Sequence, residues 1–167
     1  MDDATARKPP LAHYVEALTG AGVEFLIVGG QAEQFFGSAR VTFDVDLCYR
    51  RTHENLERLA RALTSLKPTL RGAPPELPFR LDAKSLALGS NFTFDTIHGP
   101  LDLLGYLEPI GGYEEAAANA VAMEFGPWTV KVLSLDDLIR IKQHLQRPKD
   151  RDSLMHLLAI REVRKGS

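Results

Sequence analysis

Behind Pro9-Pro10, the residues Leu11, Tyr14, Val15 and Leu18 recur at three- and four-residue spacing. That pattern predicts a helix, and Gly20 and Gly22 bring it to an end. Residues 24–28 are short, aliphatic and aromatic, so they read as a buried strand. The strand runs into Gly29-Gly30 and then into a brief helical segment, 31–36, stopped by Gly37. Residues 41–50 alternate with period two: Phe43, Val45, Leu47 and Tyr49 share one face, Asp44, Asp46 and Cys48 the other. This is the pattern of a strand. A helix over 53–66 carries Leu56, Leu59, Ala60 and Leu63 on one side. Four of the ten prolines fall within 68–78, which predicts a loop. Residues 91–96 alternate with Phe92 and Phe94 inward, 98–100 turn the chain, and 101–107 make another strand. A short helix over 113–119 precedes a hairpin, 121–125 with 129–133, split by Gly126-Pro127. Ser134, with Asp137 three residues on, resembles a capping box and starts a helix to about 146. Pro148 interrupts, and a last helix runs from about 150 to 163. The expected fold class is α/β (α+β), a small mixed sheet flanked by helices with further helices at its C-terminal side.

Composition narrows this picture. The 167 residues suit one domain, 11–167, behind a polar, proline-containing segment, 1–10, that is expected to be flexible. An apolar fraction of 44% with a net charge of −2 excludes the disordered class. The single cysteine, Cys48, excludes an intramolecular disulfide and a cysteine-based zinc site, and fits a cytoplasmic setting. The N-terminus has no apolar core of a signal peptide, and no apolar run approaches the roughly 20 residues of a membrane span, so no membrane partner is expected.

The densest chemistry lies between residues 27 and 47. Two carboxylates at i and i+2 of a strand share a face, with Cβ atoms on the order of 7 Å apart. Like charges in that position repel, so Asp44 and Asp46 call for a counter-charge. Oxygen-only ligands favour Mg2+ or Mn2+. The Gly29-Gly30 turn, opening onto a helix N-terminus, presents backbone N–H groups suited to phosphate.

Gly29-Gly30, Gly37, Arg40, Thr42, Asp44 and Asp46 together resemble the signature of the minimal nucleotidyltransferases, in the superfamily named for DNA polymerase β. The resemblance spans about residues 12 to 160. It implies the nucleotidyltransferase fold, an NTP substrate whose triphosphate meets Gly29, Gly30, Arg40 and Thr42, and metal held by two strand carboxylates and a third on a neighbouring strand. Asp102 matches that third position, with Asp95 as the alternative. Three carboxylates around two cations about 3.5–4 Å apart would clamp an in-line nucleotidyl transfer.

A second signal lies further on. The apolar stripe of Leu135, Leu138 and Ile139 leads to Lys142, and Arg147, Lys149, Arg151 and Asp152 follow. This set resembles the C-terminal motif of the branch containing toxins of abortive-infection-type (type IV) toxin–antitoxin systems. There the resemblance implies that Lys142 meets nucleotide phosphates as a catalytic group beside Asp44, Asp46 and Asp102. It implies that Arg147 and Lys149 contact the nucleotide and that an aspartate, Asp150 or Asp152, is required. A tRNA acceptor and a cognate antitoxin would follow. The chain departs from the pattern where Gln31 replaces a hydroxyl residue after the glycines, and those toxins are commonly longer. The alternatives are a non-catalytic nucleotide-binding or interaction module, and a subunit that presents Phe35, Phe36 and Trp128 to a partner. Charge is divided: residues 1–130 hold 11 basic and 17 acidic residues (−6), and 131–167 hold 9 and 5 (+4). The basic end is where a triphosphate or an RNA backbone would be met.

Overall fold

A computed structural model describes residues 8–74, 76 and 79–166. The strands are β1 (Phe25–Val28), β2 (Val45–Tyr49), β3 (Thr69–Leu70), β4 (Asn91–Thr96), β5 (Gly99–Leu104), β6 (Val121–Phe125) and β7 (Trp128–Val132). They join one mixed sheet ordered β3-β4-β5-β2-β1-β7-β6. β2 runs antiparallel to β1 and parallel to β5, while β7 runs parallel to β1. Both outer pairs, β4 with β5 and β6 with β7, are antiparallel. The helices are α1 (Pro10–Gly20), α2 (Gly29–Phe35), α3 (His53–Thr64), α4 (Ala83–Leu88), α5 (Tyr113–Ala118), α6 (Leu135–Leu145) and α7 (Pro148–Lys165). No helix among the described residues is long and apolar enough to cross a membrane.

The apolar stripes do what their spacing requires. Tyr14, Val15 and Leu18 of α1 and Leu59 and Leu63 of α3 are buried in one core with Leu26, Ile27, Val45, Leu47, Leu101 and Leu103. The Tyr14 hydroxyl bonds the Gly99 carbonyl at 2.6 Å, which ties α1 to the β4–β5 turn. Buried Asn55 accepts from the Glu24 N–H at 2.7 Å and donates to the carbonyls of Glu24 and Arg50, which fixes the start of α3 against the β1–β2 pair.

Several boundaries differ from expectation. β2 begins at Val45, because the last residue of β1, Val28, pairs with Asp46, and β5 pairs with β2 from Val45 onward. Val41 to Asp44 therefore lie beyond both partners and stay out of the sheet. Phe43, expected on one strand face with Val45, Leu47 and Tyr49, is 80% exposed, and Val41 is 77% exposed. The 68–78 stretch contains β3, and its residues 75, 77 and 78 lie outside the described residues, as does 1–7 of the expected N-terminal segment. α4 replaces what had no assigned structure, capped by Asp82, which accepts from the Ser85 N–H at 2.8 Å. The expected strand over 101–107 ends at Leu104, and the last helix starts at Pro148, two residues early. Phe36 is buried, while Phe35 and Trp128 are half-buried around Phe125, at centroid distances of 5.7 and 6.2 Å from it. They form no exposed aromatic patch.

Candidate active site

The site grows from the end of β1. Gly29 has φ +65, and a Cβ there would run into the Asp46 carboxylate, so only glycine fits for two separate reasons. A Cβ on Gly30 would lie 2.9 Å from the Thr42 side chain. The two glycines thus let residues 42–46 pass close over the start of α2. No side chain caps the N-terminus of α2, and a helix start is where backbone N–H groups favour an anion.

A cleft of about 230 Å3 opens there, lined by Gly29, Gly30, Glu33, Arg40, Val41, Thr42, Asp44, Asp46, Lys142, Arg147, Lys149 and Ser153. Nine of the eleven sequence-derived positions line this cleft, with two exceptions. Asp102 lies one strand further out, directly opposite Asp46 in the parallel β2–β5 register. Asp152 is exposed on α7 and does not line the cleft. The buried aspartate of that stretch is Asp150, at the first turn of α7 because Pro148 starts the helix.

Asp150 organises the basic wall. It accepts from Arg147 Nε at 2.6 Å and Lys142 Nζ at 3.3 Å. Burial pushes its carboxyl up, but Arg147 and Lys142 outweigh this and hold it at about 2. Lys142 Nζ also stands 3.6 Å from Glu33, an almost fully buried acid on α2. The stripe of α6 therefore ends in an ammonium flanked by two buried carboxylates, and this joins α2 to α6 and α7 at the cleft. Arg40 Nη1 donates to the Lys149 carbonyl at 3.1 Å, which ties the 37–44 loop to the same wall.

The acidic floor is the opposite case. Oδ1 of Asp46 and Oδ1 of Asp102 are buried and have no aligned hydrogen bond. Burial, then Asp102 and Asp44, push the Asp46 carboxyl from 3.8 up to about 7, with Lys142 pulling the other way. Paired acids with unsatisfied oxygens suit a divalent cation, so the pair fits Mg2+ or Mn2+. Asp44, off the strand and exposed, lines the same cleft as Asp46. Among the described residues no three acidic, imidazole or thiol groups gather closely enough to hold one ion. Cys48 is fully buried, and burial followed by Glu114 and Glu115 pushes its thiol up to about 12, so it does not rim the cleft.

Sequence reasoning did not single out Glu33 or Arg71. Glu33 lies on a helix too short for periodicity to assign its face. Arg71, which bridges Asp102 and Asp95, is brought there by β3, a two-residue strand without a sequence signature.

The fold is one shared with solved nucleotidyltransferase structures. The lincosamide antibiotic adenylyltransferase LnuA with lincomycin bound is similar over 90% of this chain and 96% of its own, at TM-score 0.58 and 13% identity. ANT(2'')-Ia in complex with adenylyl-2''-tobramycin is similar over 93% and 95%, at TM-score 0.54 and 14% identity. The Thermotoga maritima protein TM1012 is similar over 89% and 90%, at TM-score 0.56 and 14% identity. No family model and no curated protein sequence matches the chain.

Proposed function

We propose that this chain is a Mg2+- or Mn2+-dependent nucleotidyltransferase that moves an NMP from an NTP to a hydroxyl acceptor. The observation that carries this reading is the acid pair Asp46–Asp102 beside a cleft whose other wall is Lys142, Arg147 and Lys149. The backbone N–H groups at Gly29 and Gly30, at the start of α2, would receive phosphate oxygens. Arg40, Lys142, Arg147 and Lys149 would neutralise the triphosphate, with Asp150 holding Arg147 and Lys142 in place. Asp46 and Asp102 would hold the metal, with Asp44 reaching in from the cleft rim. A bound divalent cation would supply Lewis-acid stabilisation of the phosphoryl group and acidify the attacking hydroxyl.

For the acceptor, the structural neighbours include enzymes seen with lincomycin and with adenylylated tobramycin, and this chain matches nearly their full length. That supports a small polyhydroxyl acceptor. The tRNA acceptor, and an antitoxin partner with it, rests on the C-terminal motif and its net charge of +4 over 131–167.

The protein is incubated with Mg2+ and each labelled NTP, with tRNA, with a panel of polyols, and alone. We expect pyrophosphate release and label transfer that Asp46→Ala abolishes. No transfer or release under any condition, and no difference for Asp44→Ala or Asp46→Ala, sinks the enzyme reading. NTP binding by calorimetry without turnover would instead establish the binding module.

A further inference from the structure

The third acidic position is already engaged by a cation from the β3 edge of the sheet. Arg71 follows β3, and its N–H donates to the Thr93 carbonyl at 2.9 Å, which anchors it along β4, the strand next to β5. Its Nη2 lies 3.1 Å from Oδ1 of Asp102 and donates to the Phe94 carbonyl at 2.8 Å. Its Nε lies 3.2 Å from Oδ1 of Asp95. The contact with Asp102 is close but not aligned as a hydrogen bond, since that oxygen is among the buried atoms left without one. The guanidinium is thus shared between an aligned partner, Asp95, and an unaligned one, Asp102.

We propose that Arg71 is the resident counter-ion of the Asp46–Asp102 pair, a positioning residue that a divalent cation must push back when it binds there. This rests on the metal-site reading above. Two half-buried carboxylates side by side, each with a buried oxygen lacking a hydrogen bond, call for positive charge, and guanidinium is permanently charged in proteins. Its half-made contact with Asp102 neutralises the pair without closing it. Asp95 offers the guanidinium a second berth when Asp102 turns to the metal. A cation beside a metal ligand repels the incoming ion, so Arg71 also sets how much metal the site demands.

The test is a Mg2+ titration from the EDTA-treated protein, read by thermal unfolding, for wild type, Arg71→Met and Arg71→Lys. Metal-free Arg71→Met should melt below wild type, and its Mg2+ midpoint should fall by at least about fivefold, the low end of ordinary coupling between two competing ligands. Arg71→Lys should stay near the wild-type midpoint. A lower melting temperature with an unchanged Mg2+ midpoint makes Arg71 a strut between β3 and β4 and overturns the proposal while leaving the metal site standing. No Mg2+ response in wild type overturns both. If Arg71→Met does not fold, Asp95→Asn answers the same question. It removes the second berth, commits the guanidinium to Asp102 and should raise the midpoint. An unchanged midpoint there overturns the proposal.

Discussion

Replacing Asp46 by asparagine keeps the side chain's shape and deletes its charge, and in the metal-free protein it should stabilise. Burial, Asp102 and Asp44 raise the Asp46 carboxyl from 3.8 to about 7 in the folded chain. Below about pH 4 both folded and unfolded chains keep this proton, and there is no penalty. Between about pH 4 and 7 the unfolded chain releases it and the folded chain does not, so wild-type stability falls as pH rises. Above about pH 7 the whole penalty is present. A rise of roughly three pKa units at about 1.36 kcal/mol each amounts to on the order of 4 kcal/mol. Water at the partly open carboxyl screens part of this, which leaves an expected gain of ~2 kcal/mol for Asp46→Asn near pH 8. Urea unfolding in EDTA at about pH 4 and pH 8 measures it, the two chains being equal at the lower pH. Mg2+ should then stabilise wild type and not the variant. If Asp46→Asn is less stable than wild type near pH 8 in EDTA, the acid pair is a structural hydrogen-bonding element and the argument for a cation there fails.

Other substitutions test the remaining parts. Lys142→Met strands Glu33 and Asp150 without their ammonium and should cost about 3–5 kcal/mol in urea unfolding, partly recovered by adding Glu33→Gln. Gly29→Ala meets both a left-handed backbone and the Asp46 carboxylate, and should lose about 1–3 kcal/mol by the same measurement. Phe43→Ser should change stability by no more than about 0.5 kcal/mol, where an inward-facing Phe would cost several times that. Ser134→Ala removes the acceptor of the Asp137 N–H and should cost ~1 kcal/mol in a thermal melt, through fraying of α6.

The helices α1, α3 and α6, the 121–132 hairpin and the Gly29-Gly30 turn were legible because each carries its signal within a few residues. Asp102 was reached only through the family resemblance, which calls for a third carboxylate on a neighbouring strand. The position of Asp44 was not, because alternation continues through 41–50 while pairing partners do not. A strand ends where its neighbours end, and that is a tertiary fact. The choice between Asp150 and Asp152 turned on two residues of helix start. Proline favours the first helical turn, and that placed Asp150 where it faces back to Arg147. α4 is too short for periodicity, although its Asp82 cap was there to be read. Glu33 and Arg71 owe their places to contacts with Lys142 and Asp102, far away in the chain, and carry no local mark.

The seating of β7 beside β1 bears on how the protein is made. The Leu133 N–H bonds the Ile27 carbonyl at 3.0 Å, so the strand feeding α6 docks on the first strand of the chain. Lys142, paired with Asp150, reaches Glu33 only after that docking. A nascent chain still short of them has the Gly-Gly turn and the Asp46 strand but no basic wall, and its Glu33 is an acid without a counter-charge. Pairing between such distant segments is slow. The basic wall of the cleft thus forms after the rest, and a chain that has not yet reached residues 135–153 is barred from the chemistry proposed here.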